Sequence, residues 1–166
     1  MLDKIEILPY ANDLRPLNFS CGEEKLDSYL LEQAGQDIRR RIASCYLARL
    51  EEKVIGYYTL SSTAFVPSEL PEKIARKLPS YPHIPAVLLG RLAVEKTFQG
   101  KRVGEFLLVD AIQRVMRSEI AAYAVIVKAK NERARSFYQH FGFISFLSDP
   151  LTLFLPLKTF EKQYLP

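Results

Sequence analysis

Metal centres and disulfide frameworks draw on residue types that this chain nearly lacks. It holds two cysteines and two histidines in 166 residues. Cys21 and Cys45 form no ligand-type spacing and are too few for a disulfide scaffold, so they read as buried thiols of a reducing cytoplasm. His83 and His140 have no partner at ligand spacing and read as loop and helix-surface residues, not as metal ligands or bases. No apolar run approaches the roughly eighteen residues of a membrane span. The N-terminal MLDKIEILPY carries early acids and lacks both an apolar core and a small-residue cleavage site, so it does not read as a signal peptide. Internal repeats, low-complexity stretches and linkers are absent too.

What is present is an ordinary globular composition, 48% apolar and 25% charged. The chain is long enough for one full core and too short for two, which predicts a single domain over residues 1–166. A net charge of +4 and a pI near 9.0 are too mild to name an acidic partner. The clustering of cations is more informative: Arg39-Arg40-Arg41, Lys73/Arg76/Lys77, Lys101-Arg102 and Lys128/Lys130/Arg133/Arg135. Phosphate-bearing ligands suit such clusters, and solvated helix faces explain some of them equally well.

Periodicity orders the chain. Leu2 to Leu8 alternates weakly and predicts an opening strand. Ser20-Cys21-Gly22-Glu23 fits a capping box, and Leu26, Tyr29, Leu30, Ala34 and Ile38 keep helical spacing behind it. ASCYLARL (43–50) and KVIGYYTLSSTAF (53–65) predict a hairpin about Glu51-Glu52. A short helix is expected over 68–78, then a loop at SYPHIP, whose prolines oppose regular structure. PAVLLGRLAV (85–94) reads as a strand buried on both faces, followed by a helix over about 101–118. AAYAVIVKA (121–129) predicts another strand, 132–141 a helix, and LTLFLPL (151–157) a strand that closes the sheet. The order predicts an α/β fold, a mixed sheet with helices on its faces.

FQGKRVGEFLL (98–108) then sits between a strand and a helix. A helix N-terminus offers unpaired N–H groups and partial positive charge, glycines admit a phosphate to the backbone, and Lys101 and Arg102 add cations. The spacing is neither GxGxxG nor GxxxxGK[ST], so neither a dinucleotide fold nor a P-loop is indicated. The residues alone favour an anion site, with a basic turn as the competing reading.

Gln99-Gly100-Lys101-Arg102-Val103-Gly104 resembles the acetyl-CoA motif Q/R-x-x-G-x-G/A of the GNAT superfamily of N-acetyltransferases. Asn131-Glu132-Arg133-Ala134-Arg135-Ser136-Phe137-Tyr138, followed by Phe141-Gly142-Phe143, is similar to that superfamily's N-x-x-A-x-x-F-Y…F-G-F. Phe19-Ser20-Cys21-Gly22, Gly56-Tyr57-Tyr58-Thr59-Leu60-Ser61, Tyr81-Pro82, Leu89-Gly90-Arg91-Leu92-Ala93-Val94 and Asp149-Pro150-Leu151 resemble one subgroup, the GNAT toxins of bacterial type II toxin–antitoxin pairs. The resemblance covers roughly residues 15 to 157. It implies a GNAT fold with a mixed, mostly antiparallel sheet and helices on both faces. It also implies an acetyl-CoA-dependent transferase that acetylates the α-amine of an aminoacyl-tRNA and stalls translation.

Residue by residue, the resemblance makes Tyr138 the acid that protonates the departing CoA sulfur. It places pantetheine along Leu92, Ala93 and Val94, pyrophosphate over Gln99, Gly100, Lys101, Arg102, Val103 and Gly104, and further cofactor contacts at Asn131 and Ser136. Asn131 also reads as a helix cap. Arg102 departs from the motif, which usually has glycine there; a helical first turn is expected to take it without strain. Its side chain then either crowds the pyrophosphate or pairs with a phosphate. Many GNAT enzymes carry a carboxylate base on the strand before this loop, and 84–94 has none. An α-amine (about 7.7–8.0) needs less help to lose its proton than a lysine (about 10.4), which leans toward an α-amino acceptor. Arg91, a charge in an apolar strand, is either a substrate contact or half of an ion pair. Arg40, Arg41, Lys73, Arg76 and Lys77 are the candidates for tRNA phosphates.

The expected partners are acetyl-CoA, an aminoacyl-tRNA and a ribbon-helix-helix antitoxin, with no membrane and no metal; a homodimer is left open. Two other readings compete. One is a GNAT enzyme acting on a protein N-terminus or a small amine. The other is a CoA-binding antitoxin partner with weak catalysis.

Overall fold

The computed structural model describes residues 1–164. Seven strands run β1 (Ile5–Pro9), β2 (Ser44–Leu50), β3 (Lys53–Phe65), β4 (Ile84–Val94), β5 (Ala124–Lys128), β6 (Ile144–Ser145) and β7 (Thr152–Pro156). The helices are α1 (Glu24–Ser28), α2 (Ala34–Arg39), α3 (Glu72–Ala75), α4 (Val103–Arg117), α5 (Glu132–His140) and α6 (Leu157–Tyr164). The strands form one sheet in the order β1-β2-β3-β4-β5-β7-β6. The β1/β2, β2/β3, β5/β7 and β6/β7 pairs are antiparallel and β4/β5 is parallel, a mixed, mostly antiparallel sheet. The chain divides into two compact units, one of Met1–Ser61 with Gly90–Gln113, the other of Ser62–Leu89 with the chain from Arg114 onward.

In the first unit the hairpin forms as its sequence predicts. Leu50 pairs with Lys53, leaving Glu51-Glu52 as the turn, with Glu51 left-handed at φ 56°. The register slips between Ala48 and Arg49, a bulge that sets Ala48 opposite Gly56. Tyr57 sits at the centre of the core, edge-on to Phe19 (5.7 Å) and stacked with Tyr29 (6.3 Å). Its hydroxyl donates to Leu26 O at 2.7 Å, so a buried polar group is satisfied. On α4 the residues Val103, Leu107, Leu108, Ala111 and Ile112 are buried, and Tyr58 OH donates to Asp110 Oδ2 at 2.5 Å.

Several expectations need correction. The chain opens with a 3₁₀ turn at Leu2–Lys4, and the strand begins only at Ile5. The capping box does not form: Gly22 turns the chain at φ 97°, Glu23 caps α1 without a side-chain bond, and Asp27 reaches back to accept from Cys21 N at 2.9 Å. The helix continues from α1 to α2 through a π turn at Tyr29–Gln33.

In the second unit Phe65 gathers Tyr123 (6.1 Å), Phe146 (5.9 Å) and Phe154 (6.5 Å) around it. The helix expected over 68–78 divides at Pro71 into a 3₁₀ turn, Pro67–Glu69, and the short α3, because Pro71 has no N–H to continue the ladder. SYPHIP is not wholly loop: β4 already includes Ile84 and Pro85, whose carbonyl accepts from Tyr123 N at 2.9 Å. Proline loses only the donor. β4 is not buried on both faces throughout, since Val87, Leu88 and Arg91 are half-buried and Gly90 is exposed. β7 does not close the sheet either; the two-residue β6 lies outside it, too short to leave a periodic trace in the sequence.

Gly56 tests this packing. A Cβ there would lie 2.9 Å from both Ala93 O and Leu107 Cδ1, and the first of these is backbone. Gly56→Ala should therefore lower the unfolding free energy by about 1–3 kcal/mol, as overpacking does. Urea denaturation of the two proteins measures the difference, and an unchanged midpoint would contradict the contact.

Candidate active site

The first unit supplies the strand end and the glycine loop. At the end of β4, Glu95 N donates to Ile55 O (2.8 Å) and Lys96 N to Ser20 O (2.9 Å). The Glu95 carboxylate accepts from both the backbone N (2.9 Å) and the hydroxyl of Thr97, capping a 3₁₀ turn at Lys96–Phe98. Those hydrogen bonds, from Thr97 above all, hold Glu95 below the usual carboxylate range, and Lys53 Nζ lies 3.8 Å away. Glu95 is therefore a structural anion. Its oxygens brace the turn, so the strand before the loop offers no base.

Gln99 is likewise a brace. Its Nε2 donates to Cys21 O at 2.7 Å and to Val94 O at 2.8 Å. Gly100 follows with φ 78°, and a Cβ built there meets nothing within 4 Å, so the backbone is open to an approaching group. Lys101 is exposed, its Nζ 5.4 Å from the Phe98 ring. Val103 is buried and Gly104 half-buried as α4 begins; Ala93 is buried, while Leu92 and Val94 are half-buried.

Arg102 corrects an expectation. It does not lie in the helical first turn; it precedes α4 at φ 69°, in the left-handed region. Its carbonyl accepts from Phe106 N at 3.1 Å, and its Nε lies 3.1 Å from Glu105 Oε2. A left-handed L-residue is strained by roughly 1–2 kcal/mol, more than an exposed ion pair of about 0.2–1 kcal/mol returns. A glycine, as in the motif that this loop resembles, would hold the same conformation without that strain.

Among the described residues Arg91 has no ion-pair partner, yet it is not free. Its guanidinium carbon lies 3.5 Å from the centroid of the Tyr29 ring, a cation–π contact worth about 0.5–2 kcal/mol. Tyr29 OH donates to Asp37 Oδ2 at 2.9 Å, and burial together with that bond pushes the phenol well above its ordinary value. Helical spacing marks Tyr29 as a core residue; nothing in the sequence marks its ring as a seat for a cation. Arg40 and Arg41 are exposed beyond the end of α2, Arg41 at φ 59°.

The second unit holds the other motif. Asn131 caps α5, its Oδ1 accepting from Ala134 N at 2.9 Å. Ser136 is exposed on the same helix. Tyr138 is half-buried between Phe137 (5.2 Å) and Phe143 (5.4 Å), and burial pushes its phenol up to about 12. Gly142, at φ 93°, ends the helix and returns the chain so that Phe143 N donates to Tyr138 O at 3.2 Å. Arg135 is a structural residue, paired with Glu132 at 3.1 Å and bonded to Ser145 Oγ at 3.3 Å. Lys73, Arg76 and Lys77 are exposed about α3. Among the described residues no group of His, Cys, Asp and Glu could hold a metal ion.

A family model described as Acetyltransferase (GNAT) family matches residues 9–143. The chain belongs to the GNAT acetyltransferases. It is 36% identical over 143 residues, 85% of each chain, to the tRNA-acetylating toxin of Mycobacterium tuberculosis (strain ATCC 25618 / H37Rv). Its fold is similar to that of AtaT complexed with acetyl-methionyl-tRNAfMet, with TM-score 0.87 and 32% identity over 96% of this chain and 99% of that one. It is similar also to a tyrosine-to-phenylalanine mutant of the AtaT toxin bound to the C-terminus of the antitoxin AtaR and acetyl-CoA, with TM-score 0.80 and 29% identity over 99% and 100%. In this acetyltransferase no helix among the described residues is long and apolar enough to cross a membrane.

The strain at Arg102 is measurable. Arg102→Gly should leave the unfolding free energy unchanged or raised, whereas the β-branched Arg102→Val should lower it by about 1–2 kcal/mol. Equal urea midpoints for the valine variant and the parent would contradict the left-handed conformation.

Proposed function

We propose that this acetyltransferase is a toxin that acetylates the α-amino group of an aminoacyl-tRNA and so blocks translation. The observation that carries the reading is the 36% identity to a tRNA-acetylating toxin over 85% of both chains. The chemistry agrees with it. No carboxylate stands on β4, and Glu95 beyond it is committed to Thr97, which favours an acceptor amine that is already substantially neutral near pH 8.

The glycine loop fits an acetyl-CoA pyrophosphate: Gly100 leaves open space where a side chain would stand, and Lys101 and Arg102 flank it. When bound, the cosubstrate supplies an acetyl group activated as a thioester. In this reading Leu92, Ala93 and Val94 present backbone groups to pantetheine, with Val94 N–H at the thioester oxygen. Asn131 and Ser136 contribute further cofactor contacts. As the acceptor nitrogen bonds to the acetyl carbon and the carbon–sulfur bond breaks, Tyr138 gives its phenolic proton to the sulfur. The proton released by the new amide's nitrogen returns to the phenolate through solvent. Arg40, Arg41, Lys73, Arg76 and Lys77, all exposed, provide cations for tRNA phosphates. Residues 1–166 act as one acetyltransferase domain, a ribbon-helix-helix antitoxin is its partner, and the two buried free thiols suit the cytoplasm.

Incubation with labelled acetyl-CoA and total charged tRNA should label the aminoacyl ester. Labelling of protein N-termini or small amines in its place would overturn the toxin reading. Arg40→Glu with Arg41→Glu should weaken turnover on tRNA and leave acetyl-CoA affinity intact. Tyr138→Phe should keep acetyl-CoA affinity by calorimetry and lower kcat by about 10²–10⁴-fold. Because burial favours the neutral phenol, Tyr138 stays protonated as pH rises past 10 and ionises only near 12. The rate should thus climb as the acceptor amine loses its proton through about pH 8 and then hold level to about pH 11. A fall near pH 10 in the parent that vanishes in Tyr138→Phe would place the phenol at its ordinary value.

A further inference from the structure

We propose that Arg91 is a preformed binding group for the phosphate of the acceptor's 3′-terminal nucleotide, held on an aromatic seat so that its charge stays unneutralised. The inference rests on the reading that the acceptor is an aminoacyl-tRNA.

Two other half-buried arginines of this fold are each paired with an acid: Arg49 lies 3.5 Å from Glu6 and Arg135 3.1 Å from Glu132. Arg91 is handled differently. Its guanidinium lies over the Tyr29 ring at 3.5 Å, and among the described residues it has neither an ion-pair nor a hydrogen-bond partner. The carboxylate of this neighbourhood, Asp37, is taken up elsewhere, accepting from Tyr29 OH at 2.9 Å and from Gln33 Nε2 at 3.0 Å. An aromatic face steadies a cation without cancelling it and leaves the planar fork of N–H donors for a ligand. The charge registers in its surroundings, where it opposes the rise that burial imposes on Tyr29, Cys45 and Tyr57.

The seat is also rigid. Tyr29 is anchored at its hydroxyl by Asp37 and stacked on Tyr57 at 14° between planes, and Tyr57 in turn donates to Leu26 O. A π turn from Tyr29 to Gln33 sets the ring and Asp37 in reach of each other. Arg91 is followed on β4 by Leu92 and preceded by the exposed Gly90.

Position selects the ligand. A strand advances about 3.3 Å per residue, so Arg91 lies about 10 Å before Val94, where the proposed reading puts the thioester. That span is comparable with the covalent path from the amine of an aminoacyl ester to the 5′-phosphate of its nucleotide. A protein N-terminus or small amine carries no obligatory anion at that distance, whereas every aminoacyl-tRNA does. Phosphate and guanidinium match as a two-pronged pair.

The test uses the full chain, purified charged tRNA and a salt series. Arg91→Gln should raise KM for charged tRNA about tenfold with kcat little changed, and should lower the slope of log affinity against log salt by about one. Acetyl-CoA affinity by calorimetry should not move. Should the glutamine variant melt below the assay temperature, Arg91→Lys carries the test, because it keeps the cation and loses the fork: KM rises severalfold at the parental salt slope. Parental KM and salt slope in a folded Arg91→Gln, or parental KM in Arg91→Lys, overturn the inference while wild-type acetylation of charged tRNA leaves the functional reading standing. A wild-type protein that acetylates no charged tRNA overturns that reading and the inference with it.

Discussion

The side-chain amide of Gln99 ties together three segments of the first unit around its glycine turn. Its two donors close on Cys21 O in the loop before α1 and on Val94 O at the end of β4, and its own backbone leads into the glycine turn before α4. Without it two carbonyls would each lose a hydrogen bond worth about 0.5–1.5 kcal/mol. Lys96 N on Ser20 O and Glu95 N on Ile55 O reinforce the same junction. The glutamine of the motif thus orders the cradle; the open backbone of Gly100 and the cations beside it are what a phosphate would meet.

The charges of the molecule sort by the same logic. Glu95, Glu105 and Glu132 each have a bonded partner close in sequence, Thr97, Arg102 and Arg135, and so shape turns and helix starts. Cations on the outer surface, such as Arg40, Arg41, Lys73, Arg76 and Lys77, stand in water and suit a diffuse polyanion. Arg91 belongs to neither class. Arg102 holds a left-handed conformation between a glycine of the same hand and the first turn of α4.

Much of this was legible where the signal is local. The paired apolar runs about Glu51-Glu52 announced the hairpin, the apolar positions of 103–116 announced α4, and Asn131 announced its own cap on α5. Local signals also misled. Ser20 to Glu23 has the letters of a capping box, but Gly22 turns away, Glu23 caps α1 without a side-chain bond, and Asp27 instead ties the preceding loop at Cys21 N. Pro85 looked like a loop residue because its missing donor is visible in sequence and the use of its carbonyl by Tyr123 is not. Arg102 is the sharpest case: side-chain chemistry can be read from a letter, whereas a φ of 69° is imposed by the turn into α4. The seat of Arg91 joins residues far apart in the chain, and only tertiary structure brings a tyrosine at 29 beneath an arginine at 91.

The π turn at Tyr29–Gln33 makes the first helical segment a matter of counting. Its wider hydrogen-bonded loop accommodates an additional residue without breaking the helix. Were the turn to close as a regular α-helix with that residue retained, everything after it would rotate by about 100°. Asp37 would swing off the Tyr29 hydroxyl, and Ala34, now sealed in the core, would move toward solvent. The segment can therefore drift in composition at its exposed positions, such as Glu32 and Gln36, while its wide turn has to persist.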